Sequence, residues 1–257
     1  MQRLEGIQNG LRLPVTTPLE EVEAAAANED TLVLEFDAQA ALADDRAFQK
    51  RYMADVPVTD SKFRKQTGTL STDEGIFPTT AEGLAKLKPV KEGGTVTFGG
   101  QTHPADGNAG AIVTTRERAR AVATDPGIEV EILGFGMARV EAGYMPMAPS
   151  PAAFNALKNA GLSISDVAAI KTHNPFAVND IALARDTGFA WERMNNYGSS
   201  IIWGHPQAPT GMRAIIELIE ELVLRGGGVG LFTGCAAGDT GYATVLRVTD
   251  SKTTSKA

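Results

Sequence analysis

The chain has 257 residues, a formal net charge of −7, 43% hydrophobic and 21% charged residues, and one cysteine. That apolar content suits one large domain or two small ones around an ordinary core and excludes a disordered chain. The acidic balance disfavours a nucleic-acid partner, which needs a dominant basic face, and a lone cysteine excludes an internal disulfide and a Cys-rich zinc site. No apolar run approaches the roughly 18 residues of a membrane span, and the opening MQRLEGIQNGLRLP lacks the apolar core of a signal peptide. A cytoplasmic setting with no membrane partner and no metal is therefore expected.

Leu19 to Asn28 is rich in alanine and glutamate and predicts a helix with acid near its positive end. Residues 1–35 carry no functional signal. Phe36, Ala40 or Ala41, Phe48 and Tyr52 recur at helical spacing, so Phe36 to Met53 reads as an amphipathic helix. Val56 to Gly94 is punctuated by glycine and proline and reads as loop, with one helix-sized patch at Thr80 to Lys88. It carries Lys62, Arg64, Lys65, Lys86, Lys88 and Lys91. These charges read either as a solvated face or as a cradle for a phosphorylated ligand, with Arg64 gripping phosphate by its fork and the lysines acting as point charges.

Thr95 to Gly100 alternates like a strand and leads into the loop QTHPADGNAG. Ala111 to Thr115 looks like a buried strand, Arg116 to Thr124 a helix, Ile128 to Val140 a long strand, and Ser150 to Ala160 a helix with Pro151 in its first turn. Val167 to Lys171 follows as a buried strand that ends at His173 and Asn174. Met194 to Gly204 brings a polar turn into an apolar run, with His205 and Pro206 directly after it. From Thr210 an amphipathic helix carries Ile215, Ile216, Ile219, Leu222 and Val223 on one side and is closed by Gly226, Gly227 and Gly228. Val229 to Thr233 reads as a buried strand, Gly234 to Asp239 as a tight turn, Tyr242 to Val248 as a last strand, and Thr249 to Ala257 as a polar tail.

Strands alternating with helices predict a layered α/β architecture. In such sheets ligands collect beyond the carboxyl ends of strands, which makes His173 and Asn174 candidates, although polar residues there also serve as helix caps. His205 lies just before a helix whose positive end favours a neutral imidazole, the form a general base needs. Cys235 stands among Gly234, Ala236, Ala237 and Gly238, small residues that leave room for a ligand to reach the sulfur and nearby N–H groups. A cysteine in an apolar segment is more often an inert, packed small hydrophobe.

Separate motifs then fall in one order: TTAEGLAKLKPV at Thr79 to Val90, GTVTFGG at Gly94 to Gly100, HNPFA at His173 to Ala177, GHP at Gly204 to Pro206 with Thr210-Gly211 after it, and the glycine-rich strand ending in Cys235. Together they resemble the C-terminal part of the thiolase family, the coenzyme A dependent acyltransferases that make or cleave 3-oxoacyl-CoA. The resemblance spans about Phe36 to Val248. It implies a thiolase-like α-β-α-β-α layering, built mainly from the C-terminal βαβαβαββ half. Residues 36–125 would be a remnant of the inserted loop region, 126–249 the C-terminal domain, and 250–257 a tail.

The resemblance also implies roles. His205 is similar to the histidine that activates the nucleophilic thiol and helps bind the thioester oxygen. Cys235 is similar to the second thiolase cysteine, the acid/base that moves the α-proton of acetyl-CoA. His173 falls where thiolases commonly have asparagine and would hold the water of the oxyanion hole. Asn174, Gly204, Ala237 and Gly238 would line the substrate, and Arg64 and Lys65 would lie near the CoA phosphates. The CoA thioester is then a substrate, with no bound cofactor.

Two departures stand out. The family's CxG pattern is here Cys235-Ala236-Ala237, with glycine one place later at Gly238, so the Ala237 methyl narrows the pocket while its N–H remains a donor. The family's acylated cysteine belongs to a first half with no counterpart here. Three readings follow: an acyltransferase portion that is either completed by a homo- or hetero-oligomer bringing the nucleophile half or a truncated product of a longer gene, a CoA-binding or assembly subunit without catalysis, and an autonomous hydrolase or acyltransferase using Cys235 and His205. A half-thiolase would also leave an apolar sheet edge exposed and prone to association.

Overall fold

The computed structural model describes residues 33 to 254 except 35, 77, 78 and 95. The helix expected at Leu19 to Asn28 lies outside these residues. In chain order, helix α1 covers 36–46, a hairpin pairs β1 (Val56–Thr59) with β2 (Gln66–Leu70), and two short helices follow, α2 (Ala81–Leu84) and α3 (Arg116–Val122). The core then runs β3 (Ile128–Arg139), α4 (Pro149–Ala160), β4 (Ala169–His173), α5 (Val178–Thr187), α6 (Ser200–Trp203), α7 (Thr210–Leu224), β5 (Gly227–Ala236) and β6 (Thr240–Asp250). Among the described residues no helix is long and apolar enough to cross a membrane.

The four core strands form a mixed sheet in the order β3, β6, β5, β4. Strands β4 and β5 are parallel, because α5 to α7 carry the chain back between them, and the other neighbours are antiparallel. Strands β5 and β6 are joined by a turn in which Gly238 and Asp239 take φ of 81° and 60°. Glycine enters that left-handed region freely and aspartate tolerates it.

Helix α4 covers one face of the sheet, packing Ala152, Ala156 and Leu157 on Ile170, Leu231, Ala243 and Val245. It approaches β3 so closely that a Cβ at Gly134 would stand 2.6 Å from the Ala156 carbonyl oxygen. Helix α7 covers the other face through Ala214, Leu218 and Leu222 against Ala169, Phe232, Leu246 and Val248. A third cluster joins Leu34, Ala38 and Ala41 to Ile181, Ile201 and Trp203, which draws α1 over the helices that follow β4. Past α1, Phe48 stacks on Tyr197 with centroids 3.9 Å apart, and Gln49 Nε2 donates to the Tyr197 carbonyl at 2.9 Å.

One charged network lies within these layers. Lys171 on β4 and Glu217 on α7 are fully buried and pair at 2.8 Å, and the Lys171 ammonium also donates to the Gly198 carbonyl at 2.6 Å. Tyr52 donates its hydroxyl to Glu217, and Arg213 bridges Glu217 at 3.2 Å and both oxygens of Asp73 at 2.6 and 2.7 Å. Burial pushes the Glu217 carboxyl up, and the two cations outweigh it, so the group stays ionised.

Strand β3 forms one edge of the sheet. Gly134 and Gly136 face α4, so Phe135 and Met137 alternate to the opposite face, where α7 lies over β4 and β5 instead. A bulge between Ile132 and Gly134 resets the alternation, and Val130, Ile132, Phe135 and Met137 are left 41% to 56% exposed.

Several local expectations are corrected. Ala111 to Thr115 is not a strand: it has no partner strand, and Ile112 and Val113 are 85% and 74% exposed. At Thr95 to Gly100 the described residues hold a 3-10 turn, Phe98–Gly100, where the Thr97 hydroxyl accepts from the Gly99 N–H. The loop expected over Val56 to Gly94 contains the β1/β2 hairpin. Phe36 to Met53 is not one helix, since Asp44, Asp45 and Arg46 take positive φ and the chain resumes as a 3-10 turn at Gln49–Arg51. Gly234 and Cys235 belong to β5 rather than to the turn. Strand β6 runs on to Asp250, and the expected tail begins with a helical turn at Ser251–Thr254.

Candidate active site

The carboxyl end of β4 delivers His173, and the start of α6 delivers Ser200 to its ring, with Ser200 Oγ 2.8 Å from His173 Nδ1. Ser200 Oγ accepts the Asn174 N–H at 3.1 Å and donates to Asn174 Oδ1 at 3.1 Å, an oxygen that also accepts the Ile201 N–H at 3.1 Å. With those roles filled, Nδ1 is the nitrogen that donates to Ser200, and Nε2 keeps its bare lone pair.

Asn174 is held from behind by two buried carboxylates. Its Nδ2 donates to Asp180 Oδ2 at 2.6 Å and lies 3.4 Å from Asp37 Oδ2. Asp180 also accepts from Thr172 Oγ1 at 2.7 Å and Asn195 Nδ2 at 3.0 Å, while Ser199 donates to Asp37. Burial drives Asp37 up to about 8, with the Asp180 charge adding to it, and burial drives Asp180 up to about 6.

His205 arrives from the loop after α6. Its ring centroid lies 4.5 Å from that of His173, with an interplanar angle of 30°. Its Nδ1 is 2.8 Å from Thr210 Oγ1 in the first turn of α7, which leaves Nε2 for a second partner. Burial lowers His173 to about 3, with His205 adding to the effect, and lowers His205 as well. For both rings the first cause is loss of water rather than the positive end of a helix.

Gly204 is required by this corner. It takes φ of 98°, and a Cβ there would stand 2.9 Å from His103 Nε2. His103 was given no role in the sequence. Its carbonyl accepts the His205 N–H at 2.8 Å, Pro104 pairs with His205 as a bridge, and its Nε2 is buried without a protein partner among the described residues. The available signal was local: His103-Pro104 and His205-Pro206 are both His-Pro steps among three histidines. Between these two loops, Thr102 to Gly107 and His205 to Pro209, lies a cavity of about 550 Å³.

Strand β5 pairs in register with β4, setting Gly234 opposite His173, and a Cβ at Gly234 would stand 2.9 Å from the His173 Cβ. Cys235 is the next residue. Its thiol is buried and pushed up to about 12 by loss of water, and its polar neighbour is Asn179 on α5, whose Nδ2 lies 3.6 Å from Sγ. Thr210 belongs to a quoted motif, whereas nothing in the sequence marks Ser200 or Asn179, each a polar residue of ordinary appearance at the start of a helix.

The structure therefore brings His173, Asn174, Gly204 and His205 together and sets Cys235 on the adjoining strand. Ala237 and Gly238 lie on the exposed turn after it. Arg64 and Lys65 lie in the exposed β1/β2 loop, where their backbone N–H groups donate to Asp60 Oδ1.

Residues 127–248 match the family described as thiolase, C-terminal domain. They are a thiolase C-terminal domain. Over 194 residues the chain is 36% identical to the acetyl-CoA acetyltransferase of Syntrophomonas wolfei, covering 74% of this chain and 48% of that protein. Over 202 residues it is 34% identical to the peroxisomal 3-ketoacyl-CoA thiolase A of Mus musculus, covering 74% and 46%. The crystal structure of human mitochondrial 3-ketoacyl-CoA thiolase superposes with a TM-score of 0.74 at 29% identity, over 86% of this chain and 55% of that one. The chain thus spans about half the length of these relatives. The thiolase domain shares their layered α/β fold, as its motifs implied.

Proposed function

We propose that this chain supplies the acid/base part of a thiolase-type acyltransferase acting on an acyl-CoA, by thiolysis of a 3-oxoacyl-CoA or the reverse Claisen condensation. The observation that carries this reading is the pair of neutral imidazoles, His173 and His205, beside the strand end that bears Cys235. Moving a proton at the carbon next to a thioester needs an acid/base group beside preorganised donors for the enolate oxygen. His205 would serve the attacking thiol and the thioester oxygen, His173 would hold a water for that oxygen, and the Ala237 N–H would be a further donor. Coenzyme A enters as substrate, with Arg64 and Lys65 near its phosphates; neither forms an ion pair among the described residues.

Burial raises the Cys235 thiol, which suits protonation of a leaving enolate. In this reading the acyl group is taken up by a cysteine outside these 257 residues.

The test is thiolysis of acetoacetyl-CoA by the chain with and without a thiolase nucleophile half, beside Cys235→Ala and His205→Ala. Activity that needs the added half and falls by about 10²- to 10⁴-fold in both variants is expected. CoA binding without turnover under every condition would instead make this a non-catalytic CoA-binding subunit. Turnover by the chain alone, lost in both variants, would overturn the need for a second cysteine.

A further inference from the structure

The Cys235 sulfur is met by one side-chain donor on the described residues, and that side chain is locked in a single orientation. Asn179 is buried, its Oδ1 accepts the Phe176 N–H at 3.1 Å, and its Nδ2 faces the Pro146 carbonyl at 3.5 Å. Flipping the amide would set an oxygen against a carbonyl oxygen and a donor against an N–H, so the amide nitrogen is fixed towards Cys235 Sγ at 3.6 Å.

We infer that Asn179 is a positioning residue for Cys235: its N–H stabilises the thiolate left when Cys235 gives up its proton and orients the sulfur for taking the proton back. This rests on the acid/base role proposed for Cys235. In the cleavage direction the S–H bond breaks, a C–H bond forms at the enolate carbon, and the electron pair stays on sulfur, opposite the Asn179 N–H. In the condensation direction the same thiolate removes the α-proton. A hydrogen bond to a charged partner is stronger than one to a neutral one, so the contact tightens as the thiolate forms. Asp180 on α5 also faces the thiol and acts against the thiolate.

Because the chain has one cysteine, thiol reactivity reports this sulfur alone. The experiment is the rate of modification by methyl methanethiosulfonate, a small reagent, followed by intact mass from pH 7 to 9.5 for wild type, Asn179→Leu, Asn179→Asp and Asn179→Gln, with thermal unfolding as the fold control. The expected result is a rate about tenfold lower at each pH in Asn179→Leu, lower still in Asn179→Asp, and partly restored in Asn179→Gln, an amide that keeps the donor. A change of twofold or less, or a faster rate from loosened packing, would overturn the inference. If Asn179→Leu does not fold, Asn179→Ala takes its place, since it removes the donor without adding a charge beside the sulfur, and an unchanged rate there overturns the inference. No turnover is needed, so this outcome is separate from that of the acyltransferase reading.

Discussion

The imidazole of His173 lies 4.5 Å from that of His205, and each ring is tied by its own Nδ1 to a hydroxyl, Ser200 for the first and Thr210 for the second. Charging one ring raises the free energy of charging the other, and neither is wet enough to offset it. Both should therefore stay neutral through physiological pH. NMR of the ring carbons and nitrogens should show no titration of His173 between pH 5.5 and 8, with its proton on Nδ1. In Ser200→Ala the ring loses that acceptor, and both tautomers should become populated. A midpoint for His173 near 6.5 in the wild type would show that the ring is solvated.

Stability should fall as pH rises from 6.5 to 8.5. Asp37 has an ordinary value of 3.8 and is held at about 8, so its raised value favours the folded state at low pH, an advantage lost as pH rises through 8. His173 works in the opposite sense: held at about 3 against 6.5, it stabilises above 6.5 and loses that contribution only on acidification. Above 6.5 the histidine contribution is flat, so the slope belongs mainly to Asp37. The melting temperature should drop by roughly 2–4 °C per pH unit, and Asp37→Asn should flatten the curve.

Glu217→Gln should destabilise the fold by about 3–5 kcal/mol, because it strands the buried Lys171 ammonium. Replacing both partners, Lys171→Met with Glu217→Leu, should be far milder than the two single losses combined. Urea titrations of Lys171→Met, Glu217→Leu and the double variant, beside Glu217→Gln, measure this, and additive losses would mean that the pair is not coupled.

Gly134→Ala should lose about 1–3 kcal/mol, since its new methyl meets the α4 backbone. Gly68→Ala is the control: a Cβ there meets nothing within 4 Å, and the change should stay within about 0.5 kcal/mol.

The exposed stripe on β3 should make the chain self-associate. Light scattering after size exclusion should show Phe135→Lys with Met137→Glu shifting it towards monomer. A monomeric wild type at the same concentration would leave the stripe without that consequence.

The elements legible in the sequence were those that bury one face. Helices α4 and α7 repeat their apolar residues at helical spacing because one side of each lies on the sheet, and β5 and β6 are apolar because they sit inside it. The β1/β2 hairpin was invisible because every residue of both strands is exposed, so no alternation marks it. Ala111 to Thr115 misled for the opposite reason: its β-branched composition suits a buried strand, and no strand lies beside it. His173, His205 and Cys235 were legible as motifs. Their supports were not, because Ser200 on His173 and Asn179 on Cys235 are contacts made by folding, between residues unremarkable in their own neighbourhoods, as is the buried pair of Lys171 and Glu217.

The recognisable domain begins at residue 127, yet Asp37 closes on Ser199, Tyr52 on Glu217, Asp73 on Arg213 and His103 on His205. Each of these ties starts upstream of the domain and ends inside it. Recombination that exchanged residues 127–248 alone between relatives would set three of them against another protein's side chains, while the His103–His205 tie, made backbone to backbone, would be indifferent to the exchange. A hybrid gene that crossed over before residue 37 would carry both ends of all four ties, the histidine corner among them.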